Sequence, residues 1–297
     1  MEQNQIIHNV NIAPEVFEMK LYCPEIASKI QPGQFIVIRV AEEGERIPLS
    51  VGDFHRDTGI LELLVREIGL TTKRLVQMEV GTVIPDVMGP LGRPTEIEEI
   101  DHLLCVGGGV GIAPVHVVAK AYRERGTHVT TIFGARSSNL LAWKEKIKEV
   151  SDETIITTDD GSEGKKGFVT VELEDQIKAG RSIDQVFIAG PAIMMKFVTA
   201  ITKKYDVPSI ASLNPIMVDG TGMCGCCRVT VDNTTRFACV DGPDFNGNTV
   251  DFDELLSRQR AYLDEEKRAL DLAYSEGKVL TPEKHQHKMH GDDKGGE

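Results

Sequence analysis

Near residue 100 the hydrophobic pattern changes period, so the chain must build two differently organised sheets. Before that point short apolar or alternating runs (Phe35–Val40, Leu61–Val65 and Thr82–Ile84) are separated by turn signals at Pro32-Gly33, Asp57-Thr58-Gly59 and Gly89-Pro90-Leu91-Gly92. Strands this short, at this spacing, predict a β-barrel or sandwich. After it, the runs Leu103–Val106, Val129–Phe133, Glu153–Thr157 and Gln185–Ala189 alternate with helical stretches at Val115–Arg125, Asn139–Val150, Val169–Ala179 and Ala192–Tyr205. Strands alternating with helices of this length imply a parallel, doubly wound sheet. A cysteine-rich segment and a charged amphipathic helix over Asp251–Ser275 follow. The expected division is a barrel over 1–97, an α/β domain over 98–210, a small module over 211–250, a helix over 251–276 and a disordered tail over 277–297.

The 297 residues are 41% hydrophobic and 27% charged, ordinary for a soluble globular chain. A formal charge of −13 argues against nucleic acid and anionic membrane surfaces as partners. No window approaches the roughly 18 apolar residues of a membrane span, and the opening Met1-Glu-Gln-Asn-Gln5 lacks a signal-peptide pattern. The reading is cytoplasmic. His285, His287 and His290 fall in the polar tail, where solvated histidines are the simpler reading than a metal site.

The six cysteines are unevenly spread. Cys23 and Cys105 stand in apolar contexts and read as core thiols. Cys224, Cys226, Cys227 and Cys239 lie within sixteen residues, a clustering that points to metal binding in an intracellular chain. Asp219, Cys224, Cys227 and Cys239 reproduce the plant-type C-x4-C-x2-C…C ligand spacing, with aspartate as the first member. A [2Fe–2S] cluster wants four anionic ligands on a Gly-rich loop whose N–H groups face its sulfides, and Gly220, Gly222 and Gly225 supply such a loop. Cys226 reads as a spare thiol, or as a replacement for Cys227 after a one-residue shift. Structural Zn²⁺ on the same four residues is the non-enzymatic alternative.

Two further segments suit phosphates. Arg46-Ile-Pro48-Leu49-Ser50, Val65-Arg-Glu67 and Gly69-Leu-Thr71-Thr72 could hold a pyrophosphate by charge-assisted and backbone hydrogen bonds, although on spacing alone a surface arginine and an ordinary turn are the better reading. Gly107-Gly-Gly-Val-Gly111-Ile-Ala-Pro114 joins the first α/β strand to its helix, where glycines let a dinucleotide approach the backbone and the helix start favours an anion. Asp159-Asp160-Gly161 and Gly190-Pro-Ala-Ile-Met194 lie at later strand ends, where open α/β sheets bind ligands.

Taken in order, R-x-P-x-S, G-x-x-T, G-G-G-V-G-I-A-P, G-A-R-S, T-D-D-G-S and A-G-P resemble the ferredoxin–NADP⁺ reductase superfamily over roughly residues 5–265. Two of its members carrying a C-terminal [2Fe–2S] module compete: the electron-transfer subunit of dihydroorotate dehydrogenase, and the small (alpha) subunit of NADH-dependent ferredoxin:NADP⁺ oxidoreductase, also known as a sulfide dehydrogenase beta subunit. Ser212-Leu-Asn-Pro-Ile-Met-Val-Asp219-Gly-Thr-Gly-Met-Cys224 resembles the second, in which the aspartate is a cluster ligand. The resemblance implies an FAD site at Arg46, Pro48, Leu49, Ser50, Val65, Glu67, Gly69, Thr71 and Thr72. It implies a nicotinamide nucleotide along Gly108, Gly109, Gly111, Arg136, Asp160, Gly190 and Met194. Arg136-Ser137 could receive a 2′-phosphate, but the family uses NAD(H). The resemblance further implies an electron-bifurcating heterodimer with a larger FAD and iron–sulfur subunit, through which ferredoxin reacts.

Overall fold

The computed structural model describes residues 1–280. Six antiparallel strands open the chain: β1 (Gln5–Ala13), β2 (Val16–Tyr22), β3 (Phe35–Arg39), β4 (Arg46–His55), β5 (Ile60–Arg66) and β6 (Asp86–Leu91), paired in the order β1-β2-β5-β4-β3-β6. Thr82–Ile84 is the segment that closes this sheet rather than a regular strand. Ile6 N–H donates to Thr82 O and Ile84 N–H to Asn4 O, making a barrel. Along β2 the strand period of two sends Phe17, Met19 and Leu21 into the barrel core and leaves Glu18 and Lys20 on its outer wall. Two short helices, α1 (Pro24–Ala27) and α2 (Leu70–Val76), pack against the barrel at β5.

The second sheet is parallel and doubly wound. Strands β7 (His102–Gly108), β8 (His128–Ala135), β9 (Glu153–Thr158), β10 (Lys165–Lys166), β11 (Gln185–Ala189) and β12 (Ser209–Ser212) run in the order β10-β9-β8-β7-β11-β12. Leu103 and Cys105 face helices α3 (Ile112–Glu124) and α4 (Lys144–Glu149), whereas Leu104 and Val106 face α5 (Val169–Lys178) and α6 (Ala192–Lys204). Strands buried on both faces need such continuous apolar runs. The order reverses between β7 and β11, which opens a crevice at their C-terminal ends. The helix expected over Asn139–Val150 is only α4 preceded by a 3-10 turn at Ser138–Leu140, because Trp143 breaks it with φ 56°.

The hairpin β13 (Arg228–Val231) and β14 (Thr234–Phe237), then α7 (Ala238–Asp241), form the cysteine module. Its next strand, β15 (Asp244–Asn246), pairs antiparallel with β12, so the module is stitched onto the edge of the α/β sheet. The single helix expected over 251–275 is two, α8 (Phe252–Gln259) and α9 (Leu263–Ser275). The break has a packing cause: α8 buries Phe252 and Leu255 against Val229 and Val231, while α9 runs back to α2 of the barrel. There Val279 is buried, and the Gln77 side chain bonds both the N–H and the carbonyl of Leu280. The tail is thus anchored through residue 280; His285, His287 and His290 lie outside the described residues.

Candidate functional site: two clefts and a thiol loop

Two clefts meet at the crevice of the parallel sheet. The larger, about 940 Å³, runs between the β1–β2 turn of the barrel and the ends of β7, β8 and β9, with Gly108, Gly109, Arg136, Asp159, Phe168 and Met194 on its walls. The smaller, about 380 Å³, is bounded by three parts of the fold: Phe35, Pro48 and Ser50 of the barrel, Gly108–Gly111 and Gly190 of the α/β domain, and Leu213, Met217 and Pro243 of the cysteine module. Both share Gly108, Gly109, Val110, Pro191 and Arg66. A ligand in each would touch the other across the glycine turn.

That turn is built for close approach. A Cβ on Gly111 would lie 2.5 Å from the Ala189 carbonyl oxygen and 2.6 Å from Gly190 Cα, so helix α3 starts flush against the end of β11. Gly109, at φ +56°, has open space where its Cβ would be. The cleft supplies that space, so the backbone itself can face a pyrophosphate there.

The residues expected at the flavin have protein partners of their own. The Val65 side chain is wholly buried in the barrel core, and its neighbour Arg66 is the one that reaches both clefts. Leu49 packs on the barrel core. Arg46 is exposed, 3.4 Å from Asp86. Thr72 Oγ1 accepts from Ile68 N–H and Gly69 N–H and donates to the Gly69 carbonyl, capping α2. Thr71 is buried with its hydroxyl toward Glu45, and Glu67 lies 3.4 Å from Lys73. At the nucleotide cleft, Asp159 rather than Asp160 lines the wall. Asp160 accepts from Ser162 N–H and Oγ–H and shapes the turn, and the hydroxyl bond holds its carboxyl below the usual range. The strand-end position of Arg66, one residue past an inward-facing valine, was the signal available in the sequence.

The cysteine loop presents its donors in two pairs. Cys227 Sγ and Cys239 Sγ are buried 3.2 Å apart. Asp219 accepts from Thr221 N–H and Cys224 N–H, both at 2.8 Å, and the first of these bonds keeps its carboxyl ionised below the usual range. Among the described residues no three His, Cys, Asp or Glu side chains gather around one point as a single metal ion would need. A two-iron cluster instead takes two protein ligands on each iron, and three thiols plus one carboxylate arranged as two pairs fit it. Gly220, Gly222 and Gly225 all take left-handed φ, winding the loop between the pairs. Cys226 is half-buried and outside the Cys227–Cys239 pair; Arg258 holds its carbonyl at 3.0 Å.

A barrel docked on a doubly wound nucleotide sheet, with a thiol loop at their junction, defines an electron-transfer oxidoreductase of the ferredoxin-reductase fold. Residues 105–200 match the oxidoreductase NAD-binding domain, and residues 214–251 match the iron-sulfur cluster binding domain of dihydroorotate dehydrogenase B. The chain is 48% identical over 264 residues, covering 89% of it and 93% of the relative, to the dihydroorotate dehydrogenase B (NAD(+)) electron transfer subunit homolog of Thermotoga maritima. It is 30% identical over 263 residues (85% and 99%) to the electron transfer subunit of dihydroorotate dehydrogenase B from Fusobacterium nucleatum. A solved structure from work on flavin-based electron bifurcation by the NADH-dependent reduced ferredoxin-NADP oxidoreductase superposes with a TM-score of 0.87 at 46% identity, covering 91% of this chain and 98% of that one. The chain belongs to the family of dihydroorotate dehydrogenase B electron-transfer subunits and their homologues. It is a subunit that uses FAD, a [2Fe–2S] cluster and NAD(H), and the zinc alternative gives way to that match.

Proposed function

We propose that this chain is the NAD(H)-reacting subunit of a two-subunit, electron-bifurcating NADH-dependent ferredoxin:NADP⁺ oxidoreductase. One observation carries the reading: the smaller cleft is walled at once by the barrel, the glycine turn and the cysteine module. FAD bound there would supply hydride acceptance and the splitting of an electron pair, and a [2Fe–2S] cluster would supply one-electron transfer. The protein's part is to position these groups. Pro48 and Ser50 flank the flavin, with Arg66 at the crossing of the clefts, while Gly108, Gly109, Gly111 and Gly190 present backbone to the nicotinamide nucleotide. Arg136 and Met194 lie further along the same wall. Phe35 is shared between the smaller cleft and the core that holds Cys227 and Cys239, so the path from flavin to cluster is short and apolar. Asp219, Cys224, Cys227 and Cys239 hold the cluster.

The larger partner would carry a second FAD and further iron–sulfur clusters, and ferredoxin would react there. The names of the relatives support an electron-transfer subunit acting with a second chain. Asp219 in the first ligand position favours the ferredoxin:NADP⁺ reading over dihydroorotate oxidation. With NADH the isolated chain should reduce artificial acceptors quickly and ferredoxin hardly at all. Ferredoxin reduction by the isolated chain at the full rate of the native complex would overturn the two-subunit reading, and purification from the native source should recover the partner.

A further inference from the structure

Trp143, the only tryptophan, crosses from the nucleotide domain to the barrel wall. It takes φ 56° and ψ 24° at the start of α4, a left-handed conformation that a bulky side chain keeps only where its surroundings over-determine it. The surroundings do so from both domains. The indole lies over Gly52 of β4, where an added Cβ would come 2.5 Å from Cζ3, and it is 6% exposed. The His116 ring of α3 meets it edge-on at 5.5 Å, and His116 Nδ1–H donates to the Gly52 carbonyl at 2.9 Å. Indole Nε1–H donates to Glu18 of β2. Lys146, one turn along α4, sits 4.1 Å above the ring, 2.9 Å from Glu18 and 2.5 Å from Glu62 of β5. Lys20 and His55 complete the shell around Glu62, and Lys120 of α3 makes a second crossing to Asp53 at 2.9 Å.

These contacts hold α3 and α4 to β2, β4 and β5. The same α3 is preceded by Gly111 at its N-cap, and the same β4 and β5 carry Ser50 and Arg66. We propose that Trp143, through Glu18 and Lys146, is a positioning strut that sets the gap between the flavin and nicotinamide clefts, and with it the hydride-transfer step. This rests on the assignment of the clefts under Proposed function. A packing residue would govern only stability; a strut governs the distance between two ligands it does not touch, and hydride transfer is steep in that distance.

The test uses the reconstituted holoprotein with Trp143→Phe, which keeps a ring but removes the Nε1–H, and Glu18→Gln, which keeps an acceptor but removes the charge facing Lys146. Flavin reduction by NADH is followed by stopped flow. The limiting rate should fall by about tenfold in Trp143→Phe and by severalfold in Glu18→Gln, with the apparent Kd for NADH within about twofold of wild type. In Glu18→Gln the lone tryptophan's emission should shift. Rates equal to wild type in both variants, or a fall that only tracks lost folded protein, would overturn the strut while leaving the cleft assignment standing. If the wild-type flavin is not reduced by NADH at all, both fail together.

Discussion

Cys227 Sγ lies 3.2 Å from Cys239 Sγ inside a small core that also holds Phe35 and Val37 of the barrel. Burial, and then the neighbouring Cys227 thiol, push Cys239 up to about 12. A thiol held up in this way gives up its proton when a metal takes its place, so cluster assembly releases a proton from Cys239 and ties the module to the barrel.

Asp219→Cys should still assemble a cluster, at a lower reduction potential, because thiolate donates more electron density than carboxylate. A shift of about 59 mV or more, a tenfold change in a one-electron equilibrium, is the expected scale in a redox titration. Since Asp219 also receives two backbone N–H bonds that a thiol accepts poorly, the variant should lose cluster faster on warming. An unchanged potential would count against Asp219 as a ligand.

The two glycines of the turn should separate. Gly111→Ala drives a methyl into the β11 backbone and should cost about 1–3 kcal/mol of stability as overpacking. Gly109→Ala meets nothing in the protein and should cost only about 1–2 kcal/mol for its left-handed φ. Its larger effect should be on NADH, weakened tenfold or more where the methyl enters the cleft. Thermal melts paired with NADH titration check both.

Glu62 gives an acid-range prediction. Burial opposes its charge, but hydrogen bonds from Lys146, Lys20 and His55 outweigh it and lower its pKa from 4.5 to about 2. A depressed folded-state pKa stabilises the fold above the unfolded value, and that contribution is lost as pH falls from about 4.5 toward 2. It amounts to on the order of 3 kcal/mol at neutral pH. Glu62→Gln should therefore melt well below wild type at pH 7, with the difference shrinking as pH drops below 4.5. A gap constant with pH would show that shape, not charge, matters.

Asp244 should behave in the opposite sense. Its carboxyl is shielded, with Oδ1 inaccessible to solvent although the residue as a whole is half-buried, and it lies 2.6 Å from Thr95 Oγ1. Burial raises its pKa above 3.8 against hydrogen bonds from Thr95 and Ser212. A raised folded-state value makes the fold lose stability as pH climbs through the range between the unfolded and folded values. Asp244→Asn, neutral at every pH, should be at least as stable as wild type at pH 8 and should lack that decline. Denaturation midpoints across pH 4–8 decide it.

Local pattern alone determined the change from barrel to parallel sheet, the glycine turn after the first α/β strand and the spacing of the thiols. Each is written in neighbouring residues: a period of two or 3.6, a run such as Gly107–Gly111, or the intervals from Asp219 to Cys239. Lone side chains were harder to read. Val65 and Arg66 differ by one step along β5, and the pleat sends one into the core and the other to both clefts. Asp160 and Asp159 exchange places for the same kind of reason, since the turn spends one carboxylate on Ser162. Only the tertiary structure brought Met217 and Pro243 to the wall opposite Pro48, or Trp143 to Glu18 across 125 positions of sequence. Such meetings depend on how two domains pack, and packing leaves no period in either partner's sequence.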